Sequence, residues 1–160
     1  MDEFVQVKAH LDMMASKPAG IARSTGTLND HNYMLIDLAV WQRDELALRQ
    51  HLPQVEELAI RDGHILYQAS AHRAWGVLYR LTGEYAASEV RLTKALELFQ
   101  GLETRWQIGR TLFEMAELDM ARNNVSKART SYRRALASFE EMDAVPDMMR
   151  TQAALLSLDA

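Results

Sequence analysis

Cysteine is absent from the chain, which excludes a disulfide scaffold, thiolate catalysis and cysteine-ligated zinc. Proline and glycine are scarce, with 3 and 7 residues among 160. An all-β fold needs such residues at its turns. Their scarcity, beside abundant Ala, Leu, Glu and Arg, points to helices. No apolar run reaches the roughly 18 residues of a membrane-spanning helix. The opening stretch, MDEFVQVKAHLDMMASK, starts with two acids and mixes charge through its apolar positions. A secretory leader has a basic start and an unbroken apolar centre, so the expected location is the cytoplasm. A basic excess is also missing: the net charge is −4, whereas a nucleic-acid binder usually carries cations to displace counterions from phosphates.

What is present suits a folded domain, or a few stacked repeats, with 48% hydrophobic and 25% charged residues. Two segments match without gaps at a period of about forty residues: ASAHRAWGVLYRLTGEYAASEVRLTKALELFQ from Ala69, and GRTLFEMAELDMARNNVSKARTSYRRALASFE from Gly109. Small residues coincide at Gly76 and Ala116, and turn-formers at Gly83 and Asn123. Apolar residues coincide at Tyr85 and Val125, small ones at Ser88 and Ala128, and large ones at Leu92 and Tyr132. The pairs Ala95-Leu96 and Ala135-Leu136 close the match. The small residue in the first helix permits close approach of its neighbour. Gly83 or Asn123 supplies the left-handed backbone that ends one helix and opens the next. The remaining matches form the inward stripe of the second helix. A helix pair of this kind cannot bury both faces alone and must stack on copies of itself.

This order of residues resembles the tetratricopeptide repeat. Trp75, Gly76, Tyr79, Gly83, Tyr85, Ser88, Leu92 and Ala95 fill its signature positions in the first segment. Met115, Ala116, Asn123, Val125, Ala128, Tyr132 and Ala135 fill them in the second. Asp119 departs from the family's usual aromatic, Gln100 and Glu140 stand at its terminal proline, and the repeat is longer than usual. Extended repeats of this sort are similar to those in the C-terminal arms of bacterial signal-transduction ATPases and cyclase-linked regulators. The resemblance covers chiefly residues 64–158. It implies an all-α fold of antiparallel helix pairs stacked as a right-handed solenoid.

The expected organisation is a single domain: an N-terminal helix and loop over 1–29, a degenerate repeat over 30–63, repeats over 64–103 and 104–143, and a capping helix over 144–160. A short helix is expected over 3–15. The Gly-, Pro-, Ser- and Thr-rich stretch from Ser16 to Asp30 reads as a loop. Met34, Leu35, Leu38 and Trp41 read as the apolar stripe of the next helix, with a turn near Arg43-Asp44. Leu48, Leu52, Val55, Leu58 and Ala59 form the stripe after it. Pro53 predicts a kink or a fresh helix start. Gly63 suits a left-handed cap, and Pro146 a first helical turn. Met148, Met149, Leu155 and Leu156 follow as a stripe that could join two copies into a homodimer.

Candidate sites are few. His64 and His72 lie two helical turns apart around Gln68, but zinc motifs on helices use closer spacing with a third ligand. No nucleophile elbow or phosphate-binding loop occurs. The acid pairs Glu56-Glu57 and Glu140-Glu141 read as solvated faces. Lys127, Arg129, Arg133 and Arg134 form a basic cluster, but Glu140, Glu141, Asp143 and Asp147 follow it and no aromatic interleaves it for base stacking. No metal, cofactor or catalytic residue is therefore assigned, and the chain does not read as an enzyme. The family resemblance implies that the first helices line a groove for a protein or peptide. Arg73, Val77 and Arg80 would face it in one repeat, Phe113, Glu117 and Met120 in the next, and Trp41 in the degenerate one. The expected function is a non-catalytic scaffold or sensor arm of a regulatory protein. The alternatives are a dimerisation arm and a small-molecule effector arm of a transcriptional regulator.

Overall fold

The structure, a computed structural model, describes residues 25–159. The expected helix over 3–15 and most of the loop after it lie outside the described residues. Seven helices make up the described part: α1 (Thr25–Gln42), α2 (Glu45–Arg61), α3 (Ile65–Leu81), α4 (Tyr85–Gly101), α5 (Arg105–Ala121), α6 (Val125–Glu140) and α7 (Val145–Ser157). Each packs on the next as an antiparallel neighbour, and α1 also touches α3, as α3 touches α5.

The chain is metered by its turns. Arg43 (φ 58°), Gly63 (64°), Gly83 (82°), Glu103 (54°), Asn123 (60°) and Asp143 (52°) all take left-handed backbone. One falls every twenty residues, so two helices make the forty-residue unit. At Gly63 and Gly83 the conformation carries no steric penalty; at the other four a side chain tolerates it at a cost of about 1 kcal/mol. After these residues the chain re-enters a helix at once. Asp44 caps α2 by accepting from the Ala47 N–H at 3.0 Å.

The period extends further back than the two matched segments. The buried residues of α2 are Leu48, Leu52, Val55 and Ala59. Those of α4 are Ser88, Leu92, Ala95 and Phe99, and those of α6 are Ala128, Tyr132, Ala135 and Phe139. The same four positions turn inward in all three second helices. Opposite them, the first helices supply Ile36, Gly76 and Ala116. A Cβ placed on Gly76 would stand 2.6 Å from Leu92 Cγ, so α3 and α4 meet there at the closest approach glycine permits. Ser88 seals the same contact by donating from Oγ to the Gly76 carbonyl at 2.7 Å.

Three expectations are corrected. Thr25–Asp30, read as loop, already belongs to α1. The core stripe of α1 is Ile36, Ala39 and Val40, while Met34 is 53% exposed. An alternation of apolar residues round the whole helix hid the true face. Finally, the fresh helix start offered as one outcome at Pro53 does not occur, since α2 runs through it. Pro53 and Arg49 both lie on the exposed side, so the carbonyl that loses its intrahelical donor faces water. At the far end Pro146 occupies the first turn of α7. The methionine–leucine stripe divides: Met148 and Leu155 pack on the last core cluster, while Met149 and Leu156 face outward.

Candidate binding face of the first helices

The first helix of each pair turns one side toward the others, and this side is charged where a core would be apolar. Arg73, at mid-α3, is 1% exposed. It donates from Nη2 to Asp37 of α1 at 2.8 Å and from Nη1 to Gln107 of α5. Gln107 in turn donates to the Tyr33 hydroxyl at 2.7 Å, and Arg110 of α5 bonds the other Asp37 oxygen. A second knot lies beside it. Glu114 of α5 accepts from Arg43 at 2.7 Å and from Arg80 at 3.1 Å. Glu117 lies 3.7 Å from Arg43 and 3.9 Å from Arg80, and accepts from the Tyr132 hydroxyl. Residues more than seventy apart in sequence are thus tied directly, so α1, α3 and α5 converge.

The electrostatics follow from that packing. Burial works to raise the Asp37 carboxyl, but Arg73 and Arg110 outweigh it and hold it below the ordinary carboxylate range. Burial likewise opposes ionisation of Glu114, and Arg43, Arg80 and Arg150 overcome it. Arg73 is pulled down by burial and by Arg110, against the attraction of Asp37. Some donors remain spare: Arg43 Nη2, Arg73 Nε and Arg80 Nε are buried without an acceptor.

Beyond the knots, arginines and aromatic rings alternate. The Arg110 guanidinium carbon sits 4.8 Å from the Trp106 ring centre and 6.0 Å from that of Trp41. Arg150 of α7 sits 4.3 Å from Trp41 and 4.4 Å from Phe113. The ladder Trp106–Arg110–Trp41–Arg150–Phe113 joins α1, α5 and α7 by cation–π contact. Against it lies a pocket of about 340 Å³ lined by Asp37, Leu38, Trp41, Trp106, Arg110, Pro146 and Asp147. The Trp106 indole donates to Asp147 at 2.8 Å and is still 36% exposed.

Of the residues expected to face a groove, Arg73, Val77 and Phe113 are buried. Val77 packs with Ile36 in the first core cluster, and Phe113 meets Tyr132 edge-on at 5.2 Å. Arg80 and Glu117 are brought together around Glu114. Met120 packs against the core beside Phe113 and Tyr132. Trp41 alone among them lines the pocket. Asp37, Trp106, Arg110, Glu114 and Arg150 were not anticipated, although the forty-residue step already placed Asp37, Val77 and Glu117 at one equivalent position. His64 stacks on Tyr67 at 3.9 Å, and His72 shares a 3.0 Å contact with Arg91. Among the described residues no three His, Asp or Glu side chains are grouped to hold a metal, and no helix is long and apolar enough to cross a membrane. Comparison with protein-family models, curated proteins and solved structures finds no match for this chain.

Proposed function

We propose that this chain is a non-catalytic binding module of the tetratricopeptide type, a right-handed stack whose first helices receive a peptide segment of another protein. The observation that carries this reading is the pocket beside Trp41 and Trp106. Its size falls in the range of built ligand sites, and its walls are apolar with a few fixed polar groups. Tryptophan and arginine are the residues that most often anchor interfaces. Here they are already ordered by stacking and ion pairing, so little side-chain freedom is lost on binding. An apolar or aromatic side chain of the peptide enters between Leu38, Pro146 and the indoles, and Asp147 orients the backbone beside it. A module of this kind serves as the recruiting or sensing arm of a regulatory protein.

A displayed random-peptide library selected on the native chain tests the reading. Enriched peptides are expected to bind at micromolar dissociation constants, to change the tryptophan fluorescence, and to lose tenfold or more in affinity on Trp106→Ala. Trp106→Phe should restore part of it. Absence of enrichment, or peptides indifferent to Trp106→Ala in a variant that melts normally, would overturn it.

A further inference from the structure

Each helix of the stack lies against the one before it, and α1 has a side of the same make. The forty-residue step aligns His31, Leu35 and Leu38 of α1 with Ala71, Trp75 and Leu78 of α3. In α3 this side receives α2: Trp75 donates to Glu56 at 2.9 Å, and Gln68 donates to the Ala59 carbonyl at 3.1 Å. Ala71 and Leu78 are buried as a result, and so are Thr111 and Leu118 at the same positions of α5. On α1, His31 and Leu38 are only half-buried. With Leu35 they border a groove of about 360 Å³, whose other wall includes Ala47, Gln50 and His51 of α2. Leu46 at its margin is 75% exposed. His51 aligns with Arg91, which in the next pair is again bonded to Glu56 of α2. The groove is thus the seat that α2 fills in the next pair.

Three observations say what belongs there. Helices begin at residues 25, 45, 65, 85, 105, 125 and 145, so α1 starts on the beat, and the stretch before it has room for one more helix and turn. That stretch carries Val7, Leu11 and Met14, spaced as Leu48, Leu52 and Val55 of α2 are, each forty-one residues earlier. Phe4 extends the stripe, and Glu3, Lys8, His10 and Asp12 flank it on a helical wheel. The tether also suits: residues 16–24 reach up to about 30 Å, roughly the length of α1. A segment held so closely meets the groove at an effective concentration on the order of millimolar, which a free partner does not match.

We propose that residues 3–15 are a shortened second helix that docks in this groove of the same chain, with Val7, Leu11 and Met14 on Leu35, Leu38 and Ala47. Pro18 ends that helix early, and the loop over 16–24 absorbs the one-residue offset from the forty-residue step. The docked segment closes the leading end of the stack, as a terminal cap does in repeat proteins.

The full chain has no cysteine, so a double variant reports the contact. Leu11→Cys with Leu35→Cys should be bridged within one chain by a short bismaleimide at low protein concentration. Ala9→Cys with Leu35→Cys has nearly the same tether but stands on the opposite side of the helical wheel. It should be bridged about tenfold more slowly. Amide hydrogen exchange on the unaltered chain should show residues 5–15 protected about tenfold or more. Leu11→Asp should remove that protection while α3 to α6 keep theirs. Equal bridging of the two pairs, bridging only between copies, or exchange of residues 5–15 at the rates of an unfolded peptide would overturn the proposal.

Discussion

Replacing Glu114 by glutamine keeps the side chain's shape and removes its charge, leaving Arg43 and Arg80 with only the more distant Glu117 carboxylate, at 3.7 and 3.9 Å. The magnitude can be worked from the contacts. Glu114 is only 4% exposed and accepts from Arg43 at 2.7 Å and Arg80 at 3.1 Å. Each charge-assisted bond in such a place is worth about 1.5–3 kcal/mol. Glutamine retains one acceptor, which offsets part of one bond. Arg43, 22% exposed, can draw water in compensation, whereas Arg80, 10% exposed, has little access to it. The net loss is about 3 kcal/mol, at the lower edge of what breaking a buried ion pair costs. In a protein of this size that lowers Tm by about 6–12 °C. Urea titration followed by far-ultraviolet circular dichroism gives the free energy directly. A loss below about 1 kcal/mol would refute the view that this knot is a structural tie between α1, α3 and α5.

The other predictions are independent of that one. Asp37 and Glu114 ionise more readily folded than unfolded, so between the two values the unfolded chain binds more protons. Their contribution is full above about pH 5 and is lost as pH falls through the ordinary carboxylate values and below. Thermal melts from pH 7 to pH 3 should show that acid limb, shallower in Glu114→Gln. Gly109→Ala gains about 1 kcal/mol in helix propensity but drives its Cβ to 2.7 Å from the Phe139 ring. Overpacking of about 1–3 kcal/mol should leave it less stable than the parent in the same titration. Glu103→Gly relieves left-handed backbone at φ 54° and is expected to raise Tm by about 2–4 °C, corresponding to about 1 kcal/mol; an unchanged or lower Tm counts against the strain argument.

The all-helical class and the forty-residue step were legible because they rest on local chemistry. Glycine or asparagine marks a left-handed turn at Gly63, Gly83 and Asn123, and helix-period apolar spacing marks the second helices. Glu103 and Asp143 take the same backbone without a residue that advertises it, so the twenty-residue beat was only half visible. The face of α1 was misread because Met34, Leu35 and Leu38 have the hydrophobicity of a core stripe, and only packing against α2 and α3 selects Ile36, Ala39 and Val40 instead. The charged knots were illegible for a different reason. Asp37, Arg73 and Arg110 look like surface residues singly, and their pairing exists only once three helix pairs have been stacked. Arg73 within SAHRAWGV did carry a warning: an arginine amid small and apolar residues must find an anion or stay in water.

A chain built to so even a measure should lengthen easily, by splicing in one more forty-residue cassette between two turns. The bridge from Asp37 and Arg43 across to Arg110 and Glu114 forbids the simplest version of that change. An added cassette between α2 and α5 would part Asp37 from Arg110 and Glu114 from Arg43 wherever it fell. An insertion after α6 meets the same obstacle, because Asp147 and Arg150 of α7 reach back to Trp106, Trp41 and Phe113. The salt-linked inner face therefore acts as a length gauge, fixing at three the number of pairs that can share it.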